Sequence, residues 1–228
     1  MAKKDITRKQ LLKEPDRFIT TSGKLIAYAR AHRLPLLIAA GAVLVLLLAV
    51  VTVRQVSNRN ERLASERVDK AVAQYAAALK DTDPKTARDR VKTAFEELFS
   101  QYGSKSAVKI ARIVYGDICY RAGDGKAAID MYTKALDDYR DVPALKNIIL
   151  NGLAYAYVLD ADDAQSIRYF KMITEDQEKT LQGGALFNLA WLYAASGDKT
   201  KSTACYEQLL KDFPDDFYSS LAKEKVNG

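Results

Sequence analysis

"VYGDICYRAGDGKAAIDMYTKAL" (residues 114–136), "GLAYAYVLDADDAQSIRYFKMI" (152–173) and "NLAWLYAASGDKTKSTACYEQLL" (188–210) align without gaps. In each, a small residue (Gly116, Ala154, Ala190) is followed three positions later by Cys119, Tyr157 or Tyr193. Twelve positions after the first small residue comes a second (Ala128, Ser166, Ser202), and four beyond that an aromatic (Tyr132, Phe170, Tyr206). The first small residue recurs after 38 and then 36 positions, a period at which helical hairpins stack. Between the halves of each unit lies a turn: Ala122-Gly123-Asp124-Gly125, Ala161-Asp162-Asp163 and Ser196-Gly197-Asp198. Small residues let two antiparallel helices approach closely, and the aromatics fill the wedge to the next pair. Three aligned units argue against a helical bundle without repeats.

The flanking sequence extends this pattern. "KTARDRVKTAFEELFSQYGSKS" (85–106) reads as the second helix of a degenerate fourth repeat, with Phe95, Leu98 and Tyr102 inward. Asp83 is placed to cap that helix and Pro84 to begin it. "FYSSLAKEKV" (217–226) reads as a capping helix, which a solenoid needs to cover its last apolar face. From Arg54 to about Lys80, Val56, Leu63, Val68, Val72, Tyr75 and Leu79 give rough helical spacing without Gly or Pro. This segment is read as a stalk.

Before the stalk stands "LPLLIAAGAVLVLLLAVVTV" (34–53), which carries no charge. As a helix, 20 residues span about 30 Å, the thickness of the bilayer hydrocarbon. The run is longer than a signal-peptide core, and no small-x-small cleavage site follows it, so it is read as an uncleaved anchor. Residues 1–33 hold nine Lys/Arg against three Asp/Glu, and this tail carries the whole net charge of +6. The positive-inside rule keeps such a tail cytoplasmic and exports the C-terminal part, although Arg54, Arg59, Arg62, Arg67 and Lys70 partly balance the far side. Topology and anionic headgroups account for the basic tail, and no nucleic-acid recognition motif accompanies it. Its apolar residues fit either interfacial helices broken near Pro15 or a disordered tail.

No catalytic constellation emerges. The one histidine, His32, lies at the membrane edge, which leaves no Ser/His or Cys/His system in the exported part. The pairs Asp137-Asp138, Asp162-Asp163 and Asp215-Asp216 fall at helix ends and turns, where Asp caps helices and faces water. Gly183-Gly184 and the "GDGK" of 123–126 read as turns without the context of a phosphate loop. Cys119 and Cys205 sit within helical apolar patterns, read as small hydrophobes, with a disulfide between them in an oxidising compartment as the alternative. No metal-ligand spacing and no cofactor motif is present. A non-catalytic protein is expected.

The small-then-aromatic signature, with Pro214 after the last unit, resembles the tetratricopeptide repeat. Departures are Ser in place of the second Ala in two units and the missing closing Pro of the middle unit. The resemblance implies that the first helix of each unit lines a concave, protein-binding face. Carried over residue by residue, that face comprises Ile113, Asp117 and Tyr120, then Asn151, Tyr155 and Val158, then Phe187, Trp191 and Ala194. Tyr155 and Trp191 are either interface anchors or partly buried packing residues. The layout of basic tail, span, stalk and exported repeats is similar to the YfgM-like ancillary-subunit family of the SecYEG translocon, which shares its repeat domain with a periplasmic cell-division coordinator.

The expected fold is therefore all-α: a tail (1–33), a single transmembrane helix (34–53), a stalk (54–80) and a tetratricopeptide-type solenoid (81–228). The expected location is the bacterial inner membrane, with the N-terminus cytoplasmic and the repeats periplasmic. Expected partners are translocon subunits, periplasmic chaperones or secreted clients, together with lipid around the span. A self-associating envelope or division scaffold is the alternative.

Overall fold

The computed structural model describes the backbone of residues 17–227 and the side chains of residues 23–226. Every regular element among them is helical. The first sixteen residues, with the expected break at Pro15, lie outside the described residues. The chain divides into two compact units at Asn58/Arg59.

The first unit holds α1 (Arg17–Ala31) and most of α2 (Arg33–Ala78). Pro35 explains the break between them: it lacks the N–H that would bond the Ala31 carbonyl, and its ring crowds that carbonyl. Backbone bonds still run from His32 N to the Tyr28 carbonyl (2.9 Å) and from Leu36 N to the His32 carbonyl (3.1 Å). The 46-residue α2 contains a window of mean hydropathy 3.0, none of it buried by protein, and is long and apolar enough to cross a membrane.

The second unit begins with the last five turns of α2. Ala64, Val68, Ala71, Tyr75 and Ala78 are buried, a spacing of four and three that defines one stripe. That stripe packs in one core with Ala87, Val91, Phe95 and Leu98 of α3 (Pro84–Tyr102). The segment read as a stalk thus contributes a helix to the core. Of the residues whose spacing marked this helix, Val68 and Tyr75 are buried and Leu63 and Leu79 are exposed, and Ala64, Ala71 and Ala78 take the other contact positions, where small side chains permit close approach.

Three hairpins follow: α4 (Ser106–Arg121) with α5 (Gly125–Asp138), α6 (Pro143–Leu159) with α7 (Asp163–Thr174), and α8 (Gln182–Ala195) with α9 (Lys199–Asp212). The fold is all-α and of tetratricopeptide type. One device starts the second helix of every pair. Asp83, Asp124, Asp162 and Asp198 each accept a backbone N–H two or three residues on, at 3.0 to 3.1 Å. Four residues after each cap comes a buried small residue: Ala87, Ala128, Ser166 and Ser202. In the three hairpins the residue before the cap has positive φ: Gly123 (78°), Ala161 (59°) and Gly197 (84°).

Asp138 and the Gly183-Gly184 pair depart from expectation. Asp138 neither caps nor faces water: it is mostly buried and ion-paired with Arg112 of α4, with Lys109 Nζ at 3.2 Å. Gly183 and Gly184 are not a turn but the first turn of α8, where a Cβ on Gly183 would collide with Asp216. The glycines admit the segment that leads into α10 (Ser219–Asn227), whose Ala222 closes a core with Leu186, Ala190, Tyr206 and Leu209.

Candidate functional site

α4 and α6, the first helices of consecutive hairpins, leave a groove of about 400 Å³ between them. Its base is the ring of Tyr132 from α5, and glycines on both sides make room for that ring. A Cβ on Gly116 would stand 2.9 Å from it, and one on Gly152 2.6 Å, closer than carbon atoms pack. Gly116 is the small residue of the repeat signature. Gly152 belongs to the next unit, so the wedge aromatic is clamped between two repeats.

The walls carry Ile113, Val114, Asp117 and Tyr120 from α4, and Ile148, Asn151 and Tyr155 from α6. Tyr155 is held from three sides. It stands edge-on to Phe170 (centroids 5.4 Å apart, 89°), lies 6.3 Å from Tyr120, and its hydroxyl accepts a hydrogen bond from Asn188 Nδ2 at 2.9 Å. Burial raises the pKa of Tyr155 and of Tyr132 above the usual tyrosine value, so both present neutral phenols at physiological pH. Asp117 is ion-paired with Arg121, whose Nε lies 2.7 Å from the carboxylate. The groove therefore offers apolar and aromatic surface, one amide and one neutralised charge. Such a surface suits aliphatic and aromatic side chains of a polypeptide segment.

Of the nine residues expected on the concave face, the structure brings Ile113, Asp117, Tyr120, Asn151 and Tyr155 to this groove. The other four lie elsewhere. Val158 is half-buried in the core of the middle hairpin. Phe187 is stacked under Tyr218 (4.8 Å, 26°) and meets Tyr206 edge-on, so the segment after α9 covers it. Trp191 is half-exposed on α8, and Ala194 is exposed at the end of that helix.

Ile148, 47% exposed on the groove wall, escaped the sequence reading. The available signal was its position three residues before Asn151, one turn earlier on the same face. Ile110, 41% exposed, stands in the same relation to Ile113. Among the described residues no group of three or more His, Cys, Asp or Glu could hold a metal ion. Both cysteines are free, and burial pushes the Cys119 thiol up to about 11.

Residues 184–216 match the tetratricopeptide repeat family, a stretch that takes in most of α8, all of α9 and the connection beyond it. Repeats of this kind are typically non-catalytic modules that mediate protein–protein binding. No curated protein matches the chain.

Proposed function

We propose that this protein is a non-catalytic interaction scaffold of the bacterial envelope, anchored in the inner membrane. In this reading the tail (1–33) is cytoplasmic, residues 34–53 of α2 cross the bilayer, and the repeats face the periplasm. The groove between α4 and α6 receives segments of periplasmic chaperones or secreted clients beside the translocon. The carrying observation is the apolar groove over Tyr132, with Ile113, Tyr120, Ile148 and Tyr155 converging on one space. Such a face recognises a chain segment rather than a reacting small molecule. Anchorage concentrates it near partners in the same membrane, so weak groove contacts suffice.

The test is copurification from solubilised membranes with the wild-type chain and with Ile148→Glu, an exposed substitution that places a carboxylate in the groove. Translocon subunits, chaperones or secreted proteins that accompany the wild type and fall at least tenfold with the variant support the proposal. Division or wall-synthesis proteins, or a second copy of this chain, retained equally by both forms would replace it with the self-associating scaffold.

A further inference from the structure

We infer that α1 is a lipid-binding element: an interfacial helix that lies among anionic phospholipid headgroups of the leaflet from which α2 departs. This rests on the reading that α2 crosses the bilayer. Among the residues whose side chains are described, helical register places Leu25, Ile26 and Ala29 on one side of α1, the i, i+1, i+4 pattern of an apolar stripe. Lys24 and Tyr28 fall on the other side. No protein covers the apolar stripe where its side chains are described, with Leu25 71% and Ile26 54% exposed.

Three observations name the occupant. First, α1 contains no Asp or Glu, whereas Arg17, Lys24 and Arg30 lie along it and Arg33 follows at once, a set complementary to anionic headgroups. Second, only His32 separates α1 from α2, so a span through α2 fixes α1 at the surface of the same bilayer. Third, Tyr28 stacks on His32 with centroids 4.3 Å apart, which sets a ring pair at the junction of α1 and α2, and tyrosine is a residue type that membrane–water interfaces favour. Pro35 supplies the break in the helical bonds that lets α1 leave the axis of the span. A stripe this narrow with basic residues beside it lies in the interface and does not span it.

The test uses the full chain with Cys205→Ser, which leaves the buried Cys119 out of reach of a label, and nitroxides at single cysteines along residues 22–31. The protein is reconstituted into vesicles of phosphatidylcholine with or without phosphatidylglycerol, and accessibility to oxygen and to an aqueous nickel chelate is read at each site. With phosphatidylglycerol, sites 22, 25, 26 and 29 are expected to favour oxygen and sites 24, 28 and 31 the chelate, a 3.6-residue wave. That wave weakens several-fold in phosphatidylcholine alone or with Lys24→Glu and Arg30→Glu combined. Uniform chelate access along the helix, uniform burial, or a wave indifferent to phosphatidylglycerol overturns the proposal. A label at Val45 reports separately on α2: aqueous access there overturns the span itself.

Discussion

Ala161 holds a left-handed backbone conformation at the position where the two neighbouring hairpins place Gly123 and Gly197. A Cβ strains that conformation, whereas glycine adopts it freely. Ala161→Gly should therefore raise stability by about 0.5–1 kcal/mol, and Gly197→Ala should lower it by about 1 kcal/mol, both read from urea midpoints. Ser166 is fully buried and its hydroxyl has no hydrogen-bond partner. Restoring the usual alanine removes an unsatisfied polar group, so Ser166→Ala should stabilise by about 1 kcal/mol. Gly152→Ala acts oppositely: its methyl would drive into the Tyr132 ring, at a cost of about 1–3 kcal/mol by the same measurement. The small residues of the repeat were legible because their spacing recurs. Gly152 was not, because its reason for being glycine is a ring from the preceding repeat.

At the scale of the helix, the four aspartate caps set where each second helix begins. Asp162→Ala should lower stability by about 1 kcal/mol through the lost bond to Gln165 N. Asp198 is held below the usual carboxylate value by the Lys201 side chain and backbone, Asp83 by the Thr86 hydroxyl and backbone, and Asp176 by Lys146. Their folded pKa values are lower than the unfolded ones. Their stabilisation is therefore present above the ordinary Asp value of 3.8 and is lost as pH falls through the lower folded values. Melting temperatures should hold steady from pH 7 to about 5 and fall below about 4, less steeply in an Asp83→Asn, Asp198→Asn double variant. The last turns of α2 were harder to recognise as a core helix. Ala64, Ala71 and Ala78 make a faint stripe among charged residues, and the stripe is continuous with a far more apolar run. The cover over Phe187 was invisible for a different reason, since Tyr218 reaches it from beyond α9.

For the whole molecule, two signals carried most of the reading: a charge-free run of helix and a hairpin period of 36 to 38 residues. Both are patterns within the chain, so both were legible. The groove was legible in part, because periodicity gives the face of a helix but not the space between two helices. Five expected residues meet in the groove, whereas those of α8 face either Tyr218 or open solvent. The most direct test of partner binding in this groove is photo-crosslinking in intact cells. A photo-reactive residue at Ile148 is compared with one at Lys134, which is exposed on α5 outside the groove. Adducts with secretion-machinery proteins from position 148 and not from 134 are the predicted result. Equal adducts from both positions, or none from 148 while the intact chain still copurifies with those proteins, would contradict it.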